Sequence, residues 1–367
     1  MTNKLHQDTI SGTACIITGG LLNDIHAKTA HGLVRQSDRF KILGIIDHAF
    51  AGQDAGEILD GKHRNIPVYA NPDQLIEHVG QKPDYAIIGM ATKGGVLPQE
   101  LYPLVRHVLE MGISLVNGLH QTIGDIEEFA SIAHSSDSKI IDVRKPKGFK
   151  DLHFWTGKIK EVEALKIGVL GTDCALGKRT TSKFLVNDLC DSGINTHMIY
   201  TGQTGWLQGS KYGFVFDATP NDFISGELEH AVYECWQQES PDVIVMEGQS
   251  SLRNPSGPCG SEHIISCDLD GVILQHAPAR KYFNGLEDYG KPIPTVRDEI
   301  ALIELLGAPT ICVTLNTEDL NPEEAREAKK RIEDDCSVPV VLPLQEGIAQ
   351  CADIVRNMVK QVRVNDL

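Results

Sequence analysis

The sequence predicts two domains of the α/β class, each built on a parallel sheet. Three observations carry that prediction. The chain has 367 residues, which suits two domains at roughly 100–200 residues each. Short apolar runs alternate with longer stretches whose apolar residues recur at helical spacing, and such alternation builds parallel sheets flanked by helices. The hydrophobic fraction is 41% against 23% charged, so a sizeable core can be buried. Disordered, collagenous and low-complexity classes are thereby excluded.

The first domain is read over residues 1–150. Its strands are Ala14–Thr18, Lys41–Asp47, Tyr85–Met90, Ser114–Asn117 and Ile140–Val143. Pro98–Met111 reads as a helix with Leu101, Leu104, Val105, Val108 and Leu109 on its buried face and Gly112 as its stop. Lys145–Glu163 interrupts the alternation with Pro146, Gly148 and Gly157 and reads as a linker. The second domain is read over residues 151–367. It opens with the strand Leu165–Leu170, a glycine loop and the helix Thr180–Cys190. Strands follow at Thr196–Tyr200, Val243–Met246, Gly271–Gln275, Ile311–Leu315 and Val338–Leu342, with helices at Gly226–Gln238, Arg297–Leu306, Pro322–Glu333 and Glu346–Val362.

Asp and Glu number 50 against 34 Lys and Arg, a net charge of −16, and nearly all of the excess lies beyond residue 150. A broad basic face for nucleic acid is excluded. An anionic ligand in the second domain must instead be held by donors placed at the ligand itself. The nine cysteines form no CxxC, so reduced thiols and a cytoplasmic location are expected. The opening MTNKLHQDTISG lacks the apolar stretch of a signal peptide. No apolar run approaches the ~20 residues of a membrane helix, and no membrane partner is expected. No metal-ligand set is read from the spacing.

Most of the functional information lies in LKIGVLGTDCALGKRTTSKFL. An apolar strand runs into Gly171, Thr172, Asp173, Cys174, Ala175, Leu176, Gly177, Lys178, Arg179, Thr180 and Thr181, and a helix follows. Glycines let successive backbone N–H groups turn inward, the helix start adds free N–H groups and partial positive charge, and Lys178 adds a mobile ammonium. Together these form an anion cradle, which makes the second domain P-loop NTPase-like. The loop departs from a regular Walker A, because five residues rather than four separate Gly171 from Gly177, and Arg179 stands between Lys178 and Thr180. One position on a helix is a turn of about 100°, so Mg²⁺ ligation by Thr180 or Thr181 is left open. Cys174, inside the loop, reads as a small residue that fits there rather than as a nucleophile.

Glu247 ends the strand Val243–Met246 and reads as a base, a metal ligand or an ammonium partner facing the loop. Gln203, Trp206 and Lys211 lie in a glycine-rich strand exit read as lining a ligand crevice, with Asp217 and Asp222 as further carboxylates. His276 and Arg280 follow another strand, one suited to proton movement and the other to gripping a carboxylate. Gln249 and Arg253 are similar candidates, and Asn316–Thr317 is a weak one. In the first domain, Thr18–Gly19–Gly20 and Asp47 faintly echo a dinucleotide site without its GxGxxG, so a tight turn in a Rossmann-like scaffold is the reading. Thr92–Lys93–Gly94–Gly95 reads as a flexible loop.

Two resemblances begin at the glycine loop. Gly171-Thr172-Asp173 followed by Gly177-Lys178 is similar to the dethiobiotin synthetase branch of P-loop proteins, except for Arg179. The whole chain more closely resembles the DgcN family of D-glutamate N-acetyltransferases, which joins a Rossmann-like N-terminal domain to a P-loop-like C-terminal domain. The loop GTDCALGKRTT, the MEGQ of Met246–Gln249 and the HAPAR of His276–Arg280 carry this resemblance. It implies transfer of acetyl from acetyl-CoA to D-glutamate, a small-molecule substrate, in a catabolic route where a partner racemase uses the product. The loop would then grip the phosphates of coenzyme A without nucleotide hydrolysis. Glu247, backed by His276 or Asp217, would take the proton of the amine. Loop N–H groups or Gln249 would face the thioester oxygen, and Arg253, Arg280 and Arg179, with Gln203, would meet the substrate. A homo-oligomer is expected. The alternatives are an ATP-dependent ligase or kinase of the dethiobiotin synthetase type, using Mg²⁺, and a non-catalytic nucleotide-binding protein.

Overall fold

A strand in a parallel sheet is covered by helices on both faces, so it must be apolar on both sides. The apolar runs of this chain are used in that way. The computed structural model describes residues 10–365. The opening nine residues, read as lacking a signal peptide, and the Lys93 side chain lie outside the described residues. Contacts divide the chain into two units.

In the first unit, β1 (Gly12–Ile17), β2 (Phe40–Ile46), β3 (Val68–Tyr69), β4 (Tyr85–Ile88), β5 (Ser114–Asn117) and β6 (Ile140–Asp142) form a parallel sheet in the order β3-β2-β1-β4-β5-β6. Around it pack α1 (Lys28–Arg35), α2 (Ala55–Asp60), α3 (Pro72–Val79), α4 (Tyr102–Glu110) and α5 (Glu127–Ser135). The order, with β1 beside the crossover strand β4, is that of a Rossmann-like domain. Ile17, Leu43, Ile88, Val105 and Phe129 meet in its core. The two-residue β3 is too short to leave a periodic signal, and the sequence reading omits it.

In the second unit, β7 (Leu165–Gly171) and α6 (Lys178–Asp191) frame the glycine loop, and β8 (Thr196–Tyr200) follows. Next along the chain come α7 (Gln203–Gln208), which belongs to the first unit, and then, back in the second, β9 (Tyr212–Gly213), α8 (Asn221–Glu239), β10 (Val243–Glu247), α9 (Ser261–Ser266) and β11 (Gly271–His276). The unit closes with α10 (Val296–Leu305), β12 (Thr310–Leu315), α11 (Pro322–Cys336), β13 (Val340–Val341) and α12 (Ala349–Asn365). The second sheet is also parallel, in the order β13-β12-β11-β7-β10-β8-β9. Because all its strands run one way, the ends of β7, β8, β10 and β11 open on the same edge.

Two segments differ from their sequence reading. The stretch read as a linker is strapped to α8: the main-chain N and Nδ1 of His153 lie 2.9 and 2.8 Å from Glu227, and Thr156 donates from N and Oγ1 to Glu229 at 2.6 and 2.8 Å. The second unit accordingly starts at Gly148. The exit after β8, read as an open crevice loop, is the helix α7, and Gln203–Lys211 belongs to the first unit. There Gln208 Nε2 donates to the Gly32 carbonyl at 2.8 Å, and the Arg39 guanidinium lies 4.4 Å over the Trp206 ring while its Nε donates to the Trp206 carbonyl at 2.7 Å. All nine cysteines are free thiols. No described helix is long and apolar enough to cross a membrane.

The dinucleotide echo resolves into a turn. Asp47 is buried and accepts from Thr18 Oγ1 at 2.6 Å, Gly20 N at 3.0 Å, Leu22 N at 3.1 Å and Ala49 N at 3.0 Å. Its carboxylate is spent on the loop between β1 and α1. Asp47→Ala strands the buried donors of Thr18 and Leu22 and the less buried N–H groups of Gly20 and Ala49, so it should destabilise the protein by about 3 kcal/mol. The expected result is a lower urea midpoint with an unchanged m-value.

Candidate active site

The glycine loop ends on Gly177, whose φ of 96° is left-handed, and Ala175 just before it also sits at a positive φ of 52°. These turns present the start of α6, whose N-terminus has no side-chain cap. The N–H groups of its first turn and the positive end of its dipole are therefore left for an anion.

Lys178 is buried beneath the loop, where Nζ donates to the Asp173 carbonyl and to the Ser250 carbonyl, each at 2.7 Å. Ser250 reaches that position in a left-handed conformation, φ 41°, which serine rarely adopts. Burial pushes the Lys178 ammonium down to about 8.

Asp173 has no exposed surface and takes a dense set of donors: Arg280 Nη1 at 2.9 Å, Asn254 Nδ2 at 3.1 Å, Asn284 N at 2.9 Å and Cys174 N at 2.7 Å. Arg280 also donates to the Cys174 carbonyl at 2.8 Å and approaches Glu318 at 3.5 Å. The carboxylate that Arg280 holds is thus internal, and its guanidinium braces the loop rather than standing open to a substrate. Burial and the Asp173 charge raise the Cys174 thiol, the opposite of what an attacking thiolate needs.

The neighbouring strand, β11, supports the loop from the other side. Thr172 N donates to the Gln275 carbonyl at 3.0 Å, and Thr172 Oγ1 lies 2.9 Å from His276 Nδ1. The Thr181 hydroxyl donates to Gln275 Oε1 at 2.7 Å, beside Thr314 Oγ1 at 2.6 Å. Thr181 therefore points into the sheet, and Thr180 is the half-buried hydroxyl on α6.

Glu247 ends β10, paired in register with Val169 of β7. It is 3% exposed. Oε2 accepts from Thr201 N at 3.3 Å, and Oε1 lies 3.8 Å from Arg179 Nη1. Its main-chain carbonyl accepts from Thr201 Oγ1 at 2.6 Å and meets His263 Nε2 at 3.2 Å, while Gln249 Nε2 donates to Thr201 Oγ1 at 3.1 Å. Burial raises the Glu247 carboxyl, opposed by the Arg179 charge, the Thr201 N–H and Lys178. Burial likewise lowers Arg179. A carboxylate with one weak ion pair and raised proton affinity has the properties of a general base.

The remaining sequence candidates fall in different places. Arg253 donates from Nε to the buried Glu299 at 2.7 Å and keeps a buried Nη2 without a partner. Asp217 stands exposed on the turn Phe216–Ala218, and Asp222 is exposed in the first turn of α8. Gln203 packs in the first unit, where a Cβ on Gly118 would lie 3.1 Å from its Cγ. Sequence reading missed Thr201, Asn254, Asn284 and Glu299, which carry no motif of their own. It also missed Cys259, Glu262 and His263, whose ligating atoms all lie within 4.8 Å of one another. A Cys-x-x-Glu-His spacing was the available signal.

Burial lowers His276 to about 4, with Arg331 and Arg280 adding to the shift. The folded state thus binds this proton less readily than the unfolded state, whose histidine titrates near 6.5. The stabilisation from a neutral His276 is complete above pH 6.5 and is lost as pH falls toward 4, by at most about 3 kcal/mol. His276→Gln should flatten the acid side of a plot of stability against pH. The effect is partial, because burial also holds His263 at about 4.

Comparison with known proteins follows the two units. Residues 153–352 match the family described as Domain of unknown function (DUF1611_C), P-loop domain, and residues 48–146 match DUF1611_N, Rossmann-like domain. A protein of Pseudoalteromonas sp named D-glutamate N-acetyltransferase is 28% identical over 267 residues, 71% of this chain and 78% of its own. One of the same name from Tritonibacter scottomollicae is 28% identical over 272 residues, 73% of this chain and 79% of its own. The crystal structure of a DUF1611 family protein from Anabaena variabilis superposes with a TM-score of 0.85 at 27% identity, covering 95% of this chain and all of that one. With both of its domains matched by those of one family, in a Rossmann-like and a P-loop fold, this chain belongs to the DUF1611 family.

Proposed function

We propose that this protein transfers the acetyl group of acetyl-CoA to the amine of D-glutamate. The observation that carries the reading is a pairing across adjacent strands. An uncapped helix start with a buried lysine follows β7, and a buried, more basic carboxylate ends β10. The relatives named D-glutamate N-acetyltransferase point to the same reaction.

The loop's donors suit the phosphates of coenzyme A. The first-turn N–H groups of α6 are uncapped, and the one acid within the loop, Asp173, is already neutralised by Arg280, Asn254 and Asn284. Acetyl-CoA supplies a thioester whose carbonyl is open to attack by an amine. Only the unprotonated amine attacks, so a proton must leave first. Glu247 is placed to take it, since burial raises its proton affinity and Thr201 N–H orients Oε2. Gln249, held by Thr201, and the loop N–H groups are the donors for the developing oxyanion. The two carboxylates of glutamate call for two cations, and Arg179 and Arg253 are assigned to them: Arg253 meets Glu299 through Nε and keeps Nη2 without a partner, whereas Arg280 is engaged with Asp173, the Cys174 carbonyl and Glu318. The N-acetylated product would pass to a racemase. An ATP-dependent ligase would need a hydroxyl directly after Lys178 to hold Mg²⁺. Arg179 stands there, and the Thr181 hydroxyl is turned to Gln275.

The test is thiol release from acetyl-CoA with D- and L-amino acids, D-glutamate being expected to give the fastest rate. ADP formed from ATP without thiol release would replace this reading with the ligase. Lys178→Ala should weaken coenzyme A binding about 10–100-fold by calorimetry, the worth of a charge-assisted hydrogen bond. Glu247→Gln should lower kcat by about 10²–10⁴-fold with substrate affinity nearly kept. Since Glu247 must be unprotonated to act, kcat should rise with pH through a value above the ordinary glutamate range, and that limb should vanish in the Gln variant.

A further inference from the structure

Behind the end of β10 lies a second constellation that the acetyl-transfer reading does not use. Cys259 immediately precedes the N-cap of α9, and Glu262 and His263 lie in its first turn. Cys259 and His263 are buried, and Glu262 is half-buried. The sulfur, a carboxylate oxygen and an imidazole nitrogen of the three lie within 4.8 Å of one another.

The orientation of His263 is the decisive feature. Its ring has no exposed surface. Nε2 lies 3.2 Å from the Glu247 main-chain carbonyl. A carbonyl can only accept, so Nε2 carries the proton and Nδ1 is left with a bare lone pair. Nδ1 is buried and has no hydrogen-bond partner. A buried nitrogen lone pair left without a donor is costly. A metal-bound histidine has this same arrangement, with one nitrogen on the ion and the other N–H held by a carbonyl or carboxylate.

We propose that Cys259, Glu262 and His263 bind one zinc ion, with His263 Nδ1, Cys259 Sγ and a Glu262 carboxylate oxygen as its ligands. The donor set is one soft thiolate, one imidazole and one carboxylate, which favours zinc over magnesium or calcium. Donors within 4.8 Å of one another can converge on zinc bonds of about 2.0–2.3 Å. Glu262 is free to do so at the expense of its 3.0 Å bond from Gly260 N. On binding, the Cys259 S–H bond breaks, the sulfur's electron pair goes to the metal, and the proton is released to solvent. Three protein ligands leave a fourth position for water. Through His263 Nε2, the ion would fix the carbonyl of Glu247 and so act as a positioning element for that strand end. The proposal stands independently of which reaction Glu247 serves.

The test uses full-length protein, stripped with chelator and dialysed against zinc chloride, with elemental analysis for stoichiometry. Cobalt(II) is the spectroscopic probe. One zinc per chain is expected, together with a thiolate-to-cobalt charge-transfer band. Cys259→Ser should abolish the band and weaken zinc binding at least tenfold, and Glu262→Gln should weaken binding while keeping the band. Circular dichroism checks that both variants fold. If His263→Gln does not fold, these two still decide the matter. Cys190→Ser and Cys336→Ser should leave both readouts unchanged. Less than stoichiometric zinc, or a band that survives Cys259→Ser, would overturn the proposal.

Discussion

A buried ammonium ties the second unit's strand ends together. Lys178 reaches from the start of α6 to the carbonyls of Asp173, in the loop after β7, and Ser250, in the loop after β10. Both acceptors must be turned inward for it, which accounts for the left-handed backbone at Ser250. The residue that supplies one of these carbonyls also supplies a fully buried carboxylate. Arg280, from the segment after β11, holds that carboxylate. One lysine and one aspartate thus join the exits of three adjacent strands. A parallel sheet makes this possible by ending those strands on one edge.

The same arrangement resolves an electrostatic problem. The second half of the chain carries most of the −16 charge, yet its glycine loop is built for an anion. The charges nearest the loop are neutralised locally by hydrogen bonds, and at a few ångströms a partly buried donor outweighs a diffuse field screened by water. Glu247 is the exception. Its closest cation, Arg179, is 3.8 Å away, and burial outweighs that attraction. Weak pairing leaves the carboxyl with raised proton affinity, which is the property a base near neutral pH requires.

Elsewhere acids serve as scaffolding. Asp47 closes the turn after β1. Asp54 accepts from four main-chain N–H groups around α2, and Asp142 holds Ile123, Gly124 and Asn117. Glu227 and Glu229 fasten the segment before β7. In a sequence, each of these is a carboxylate near a strand end or on a helix, and the protein donors that gather around it leave no local mark.

The sequence alone determined the two parallel sheets and the glycine loop. Apolar runs, their spacing and the order strand–loop–lysine–helix are local properties, and local patterning sets the type of an element. It also marked Glu247 as the acid ending a strand beside that loop. Tertiary structure decided what each polar group is for. Arg280 became a brace because Asp173 lies opposite it, Thr181 was turned into the sheet by Gln275, and Gln203 was carried into the first unit by the packing of α7. His263 gained an unpartnered lone pair because β10 placed a carbonyl at its other nitrogen. Hydrogen-bond partners in these cases lie from 16 to 107 residues apart, and their pairing is set by how the strands are ordered in the sheet, which no local spacing encodes.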